Sequence, residues 1–371
     1  MTTISKLSSS LARALLGTSC VLGLAVAVAE GAAAADLYLQ GATAPGGAIW
    51  VEDGIAPANG HLWVADHIQG FCRLNPSSAA NTSATLQTST CKPTGDGQPA
   101  YSPAAQLAFS PDGSAKSVGV MRLRLKAGQF NGGQTNFNDT LPVADSKCKG
   151  NTLGGCRPSA VAFIQTNANG NGDLYIAVKR NGNIYRKRNV ANGSGNIPGT
   201  NPPLAYTGSP SALQLVGTAD GALSMTFVGA DLYIAEAGSG LVTRIIDPSN
   251  VVTGDGLGLC NSGSGRGVCA ADDAGFSFLG ALSVATDGTR LIVGDATNPL
   301  QAVNVVDIDS GIVTPFQDGG VYVNVSGMAF APELTSGTGG RPARFFWADD
   351  PTGGAGVLQG HWFTTEAANL P

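Results

Sequence analysis

The sequence predicts an all-β fold, a six-bladed β-propeller in which an N-terminal strand closes the last blade. Three observations predict it. A β-meander unit recurs at a period of roughly 56 residues. Short apolar runs alternate with Gly/Asn turns, and the chain carries 52 glycines. One strand-like stretch near the N-terminus has no unit of its own, while the last unit runs out of chain.

The clearest unit begins at Pro158. Ala160-Val-Ala-Phe163 is a short apolar run, and Gly170, Asn171 and Gly172 follow as turn residues. Leu174-Tyr-Ile176 is rich in β-formers. Asn181-Gly182 is a hairpin signal, and Ile184 and Tyr185 open a third strand. The core phrase Asp173-Leu-Tyr-Ile-Ala-Val178 aligns with His61-Leu-Trp-Val-Ala-Asp66, Asp231-Leu-Tyr-Ile-Ala-Glu236, Arg290-Leu-Ile-Val-Gly-Asp295 and Arg344-Phe-Phe-Trp-Ala-Asp349. Its fifth position is always small (Ala65, Ala177, Ala235, Gly294, Ala348), which predicts close approach of a neighbouring sheet. Arg73, Arg186 and Arg244 share one place in the third strand. A double interval between Leu62 and Leu174 makes room for a degraded copy, with Gln106 to Gly113 as its first strand and Val118 to Leu123 as its second.

Residues 1–35 read as a secretory signal peptide. Lys6 and Arg13 precede an apolar run from Ala14 to Ala29, and Ala32 to Ala35 offer a small-residue cleavage site. Residues 36–371 then form a single domain, expected to be secreted or periplasmic. No later stretch approaches the roughly 18 apolar residues of a membrane span. The net charge of −5 stays slightly negative without the leader, which argues against a nucleic-acid partner. The chain is expected to be monomeric.

Without Cys20, six cysteines remain and fall into close pairs: Cys72/Cys91, Cys148/Cys156 and Cys260/Cys269. Sequential pairing would staple one long loop between blades in each case. Metal binding is the competing reading, but no Cys-x-x-Cys and no nearby His supports it. At the other end of the count, Leu37-Tyr-Leu-Gln40 is expected to pair with the sheet holding residues 345–347 as its outermost strand. Residues 367–371 are expected to fray.

The phrase Ala-Val-Ala-Phe…Gly-Asp-Leu-Tyr-Ile-Ala…Asn-Ile-Tyr-Arg resembles the NHL-type repeat. It is also similar to the wider six-bladed group of SMP-30/gluconolactonase and strictosidine-synthase-like proteins, over residues 37–366. The resemblance implies a divalent metal held by Glu, Asn and Asp at the starts of innermost strands. The matching positions here are Gly46-Gly47, Ala104-Ala105, Pro158-Ser159, Gly221-Ala222, Gly280-Ala281 and Ser326-Gly327, which carry no carboxylate. Glu52, near Trp50, falls at a strand's end. No metal and no cofactor are therefore expected.

A second ring lies where strand two turns into strand three. Asp66 with His67 could act as an acid/base pair with Asp349 or Asp350 across the channel. Lys179, Arg180, Glu236 and Asp295 complete the ring as candidate binding residues. The competing reading is that an Asp at such a turn bonds its own backbone. The basic run 179–188 reads as a solvated blade edge or as a site for an anion or acidic partner. His61 and His361 stand alone and read as structural. Asn167 to Asp173 resembles a calcium loop but lacks the closing Glu. The reading that follows is an exported binding or scaffold module, taking a small molecule or a protein at the channel mouth. The alternative is a lactone or ester hydrolase of the SMP-30/strictosidine-synthase-like class.

Overall fold

A computed structural model of the chain describes residues 34–371 except 44, 53–59, 77–81, 93–96, 104–106, 113–116, 123–133, 168–171, 191–212, 251–268, 271, 274–277, 279, 297–298, 336–339 and 350–359. Ala32–Pro371 is one compact unit, and Met1–Gly31 lies outside the described residues. The described residues form strands, turns and short 3-10 segments, with no α-helix among them.

β1 (Asp36–Thr43) opens the described chain, and the strands after it fall into six antiparallel sheets in sequence order. Blade one is β2 (Pro45–Glu52), β3 (Gly60–Asp66), β4 (Gly70–Pro76) and β5 (Ala84–Lys92). Blade two is β6 (Ala100–Ser102), β7 (Leu107–Asp112), β8 (Ser117–Arg122) and β9 (Gln134–Phe137). Blade three is β10 (Pro158–Gln165), β11 (Gly172–Val178), β12 (Asn183–Lys187) and β13 (Gln214–Thr218). Blade four begins with β14 (Ala222–Val228), β15 (Asp231–Glu236) and β16 (Val242–Ile245). From the long connection after β16, β17 (Cys269–Ala270) adds to blade three in parallel, and β18 (Asp272–Asp273) completes blade four. Blade five is β19 (Ala281–Thr286), β20 (Arg290–Asp295), β21 (Val303–Asp307) and β22 (Val313–Pro315). Blade six is β23 (Val325–Ala331), β24 (Arg344–Asp349) and β25 (Gly360–Glu366), with β1 as its outermost strand.

Ring closure is as expected: Asp36 pairs with Thr364 and Leu37 with Phe363. Arg344 spans the last three strands, lying 3.5 Å from Asp36 and 3.4 Å from Glu366. On the blade-one side, Arg341 is fully buried, pairs with Glu52 at 2.6 Å and covers the Trp50 ring at 4.5 Å. Glu52 also accepts from Trp50 Nε1 at 2.7 Å, so this carboxylate joins the last blade to the first.

The core is divided into apolar layers, one between each pair of neighbouring blades. Leu174 and Ile176 face blade two, while Tyr175 and Ala177 face blade four, as the two-residue period of a strand requires. The small fifth residue always faces the following blade. A Cβ added to Gly294 would lie 2.5 Å from the Val325 carbonyl oxygen, so the approach admits no larger side chain. In five blades the inner strand slips register at its second residue, a β-bulge. Buried serines at or beside three of these bulges bond the next blade. Ser159 Oγ donates to Ala222 O (2.6 Å), Ser224 Oγ to Val284 O (3.3 Å) and Ser283 Oγ to Val325 O (2.8 Å).

Three details differ from expectation. In blade two, Leu107–Asp112 is the second strand and Ser117–Arg122 the third, one place later than read from the sequence. The inner strand is the short β6, too brief to show an apolar pattern, and the longer run after it was matched in its place. Cys72–Cys91 joins the third and fourth strands within blade one rather than a loop between blades. Cys148–Cys156 does staple the loop between blades two and three. Cys260 and the side chain of Cys269 lie outside the described residues.

The tail also departs from expectation. Ala367–Asn369 forms a 3-10 turn, and Ala367 and Leu370 pack into the layer between blades five and six. Arg290 of blade five donates to the carbonyls of Ala367 (3.0 Å), Leu370 (3.3 Å) and Pro371 (3.3 Å). The backbone of a docked turn has partners that a fraying tail lacks.

The shared arginine of strand three also finds a repeated partner. Arg186 pairs with Asp173 and Arg244 with Asp231 at the start of strand two. In blade one that place holds His61, beside Arg73. Burial, then the Arg73 charge, lowers the His61 pKa from 6.5 to about 4.

Two outcomes are expected. Deleting residues 36–41 lowers the thermal unfolding midpoint and promotes self-association through the bared β25 edge. Calorimetry and light scattering check this, and an unchanged midpoint with no association refutes it. For His61, the unfolded chain takes up a proton near pH 6.5 that the folded chain refuses until about pH 4. Stability should therefore fall as pH is lowered through that window, and His61→Gln should remove this part of the loss in urea titrations at each pH.

Candidate functional site

Strand register defines one ring of residues. Asp66 sits opposite Pro45, Glu236 opposite Ala222, Asp295 opposite Ala281 and Asp349 opposite Val325. All four end strand two at the face where the inner strands begin. Val178 holds the place in blade three, so Lys179 and Arg180 come one step later, exposed in the turn. Asp112 ends β7 in blade two and is the fifth carboxylate of the ring. Sequence reading missed it because blade two was matched one strand out of step. The signal was present: Asp112 closes an apolar run as Asp66 does.

All five carboxylates are buried, and those with named partners brace the fold. Asp66 Oδ1 accepts from the backbone N–H groups of Ile68 (2.8 Å) and Gln69 (2.7 Å), an Asx-turn. Glu236 accepts from the hydroxyls of Thr243 (2.6 Å) and Ser239 (3.0 Å). Asp349 accepts from the N–H groups of Val323 (2.8 Å) and Asn324 (2.9 Å), fixing the loop that enters blade six. Asp66 and Asp349 belong to neighbouring blades, so they do not face each other across the channel as expected. His67 is exposed beside Asp66, and Asp350 lies outside the described residues. Among the described residues, no three His, Cys, Asp or Glu side chains gather as a metal site would require.

The axial channel is a different place with different chemistry. Its cavity of about 280 Å³ is lined by the inner strands of all six blades. Trp50, Phe163, Phe227 and Phe330 each come five residues after their strand's first residue, and Met225 and Met328 come three after. The bulge at each strand start keeps these positions in phase from blade to blade. The aromatic rings brace on the second strands: Trp50 stacks on Phe346 at 5.2 Å, and Phe163 stacks on Phe109 at 5.7 Å. Gln98, Tyr101, Thr226 and Thr286 add polar groups. Gln98 Nε2 donates to the Ala48 carbonyl at 2.9 Å, tying blade two to blade one. Burial, then the charge of Glu52, pushes the Tyr101 phenol well above its ordinary pKa, so it remains a neutral hydroxyl.

No family model and no curated protein matches the chain. Solved structures similar to it are propellers of varied description. The PQQ-bound aldose sugar dehydrogenase from Streptomyces coelicolor is 12% identical, with 89% of this chain and 97% of that chain covered and a TM-score of 0.47. Virginiamycin B lyase from Staphylococcus aureus is 12% identical, with the same 89% and 97% covered and a TM-score of 0.43. A chain of a nidogen/laminin complex is 10% identical, with 78% and 85% covered and a TM-score of 0.45. At such identities no activity transfers to this chain.

If Asp349 is a brace, Asp349→Ala leaves two loop N–H groups without their acceptor. The expected loss is about 1–3 kcal/mol in urea unfolding, and a variant as stable as the parent refutes the role.

Proposed function

We propose that the chain is an exported, disulfide-stapled propeller that binds a small molecule with both apolar and polar faces in its axial channel. One observation carries the reading: six inner strands converge on one cavity that exposes polar and apolar surface in similar measure, with Trp50, Phe163, Phe227 and Phe330 among its lining residues. In a ligand pocket the apolar area supplies affinity and the polar groups fix orientation. The leader-like residues 1–35 and the disulfides Cys72–Cys91 and Cys148–Cys156 support export. The repeat phrase supports kinship with NHL-type and SMP-30-like propellers. Asp66, Glu236 and Asp349 are assigned to bracing, because Oδ1 of each aspartate accepts two backbone N–H groups and both Glu236 oxygens accept hydroxyls.

The test uses the fluorescent apolar probe N-phenyl-1-naphthylamine. Saturable binding at one site is expected. Thr226→Trp, at a half-buried lining position, should abolish it without lowering the unfolding midpoint. Asp66→Ala should leave probe affinity unchanged. Absence of saturable binding refutes the proposal, and lactone or ester turnover that disappears in Asp66→Ala would favour a hydrolase instead.

A further inference from the structure

The basic residues at 179–188 separate in space, with exposed Arg188 turned to Gln214 Oε1 at 3.3 Å and the other four in two pairs. Arg186 and Lys187 are buried strand residues, paired with Asp173 and Asp139. Lys179 and Arg180 are exposed in the turn between β11 and β12, on the face where the inner strands start.

The loop from Asn138 to Arg157 is brought against that turn by several bonds. The Lys179 N–H donates to the Arg157 carbonyl (2.9 Å) and the Arg180 N–H to the Cys156 carbonyl (3.1 Å). Arg180 Nη1 donates to the Lys147 carbonyl at 3.2 Å. Cys148–Cys156 closes the loop, and Gly154 N–H donates to Asn138 Oδ1 at 2.7 Å. Lys147, Lys149, Arg157, Lys179 and Arg180 are thereby held together, and all five side chains are exposed. Asp145, within the loop, accepts from Asn181 Nδ2 (2.8 Å) and the Lys147 N–H (2.8 Å), which hold its carboxyl below the usual carboxylate range; it stays ionised, and the five cations outnumber it. Val143, in the same loop, is 66% exposed, flanked by exposed Pro142 and Ala144.

We propose that this loop and turn form a docking surface for an acidic segment of a partner protein, with Val143 as its apolar anchor. Five cations on a braced surface are unusual in a chain of net charge −5, and they create a local field opposite to that of the molecule. Bringing like charges together costs free energy that an anionic partner returns. The disulfide and backbone bonds hold the cations in place, so little ordering is left for binding to cost. An apolar group rimmed by charge is the plan of a protein interface. Proteins that bind single-stranded nucleic acid add rings on which bases stack, and among the described residues the patch exposes none. The site is separate from the axial channel and does not depend on it.

The test measures binding of the purified protein to three immobilised probes: a random glutamate–tyrosine copolymer, poly-glutamate and heparin. Binding to the copolymer should weaken as salt is raised from roughly 0.05 to 0.3 M. Lys147→Glu/Lys149→Glu and Lys179→Glu/Arg180→Glu should each weaken it by about tenfold. Val143→Ser should weaken copolymer binding by about threefold and leave poly-glutamate binding unchanged. If a charge-reversed chain fails to fold, Lys147→Gln/Lys179→Gln is read in its place, with a loss of about threefold. No salt-sensitive binding to the copolymer overturns the proposal. Tighter binding to heparin, indifferent to Val143→Ser, also overturns it and assigns the patch to a sulfated polysaccharide.

Discussion

The ring depends on one close approach, made again in blade after blade. The fifth residue of strand two turns toward the following blade, and where it is Gly294 the next blade's carbonyl stands too close to leave room for a Cβ. A small side chain there lets the inner strands come near enough for serine hydroxyls and backbone groups to bond across the gap. The bulge at each strand start follows from the same constraint, since an in-register strand would not present its first residues to the neighbouring carbonyl. Cavity shape is inherited from this spacing. The channel is as wide as the closeness of the blades permits, and its lining comes from positions the bulge has set in phase.

Charges are distributed by the same logic. Carboxylates at the ends of strand two are buried, because the turns there need acceptors for otherwise unpaired N–H groups. Glu52 joins blade one to blade six through Arg341, and Asp173 holds Arg186 within blade three. Arg341, Arg186 and Asp173 are the buried charges here, and each has a partner in place that offsets its burial. The cations left exposed gather where a disulfide holds a loop that would otherwise be free. Among the described residues six carboxylates are buried in the ring, while the five cations of the loop and turn lie outside it.

Much of the ring was legible from residue pattern. Asp173-Leu-Tyr-Ile-Ala and its copies place strand two in five blades, and the small fifth residue marks the interface. The unpartnered Leu37-Tyr-Leu-Gln40 marks the closing strand. Blade two was misread because β6 has three residues, too few for a two-residue period to show. The tail was misread because its partners are carbonyls bonded by Arg290, and a main-chain acceptor leaves no mark in side-chain pattern. The basic patch was half legible. Lys179 and Arg180 were visible as a pair, but Lys147, Lys149 and Arg157 reach them only through a fold-back of the preceding loop. The channel was invisible as a pocket, since its lining is spread in threes along five inner strands and around β6, in stretches whose apolar character looks like core.

The pairing of β1 with β25 has a consequence in time. β1 is the first of the described strands to leave the ribosome, and its partner β25 is the last of them. Blades one to five can each form largely from residues close in sequence, whereas the closing sheet joins β1 to strands made roughly 300 residues later. Such long-range contacts form late and slowly. Throughout synthesis, therefore, β1 is an unpaired strand beside an incomplete ring. A chain of this design needs something to keep that strand from pairing with the wrong edge until β25 arrives.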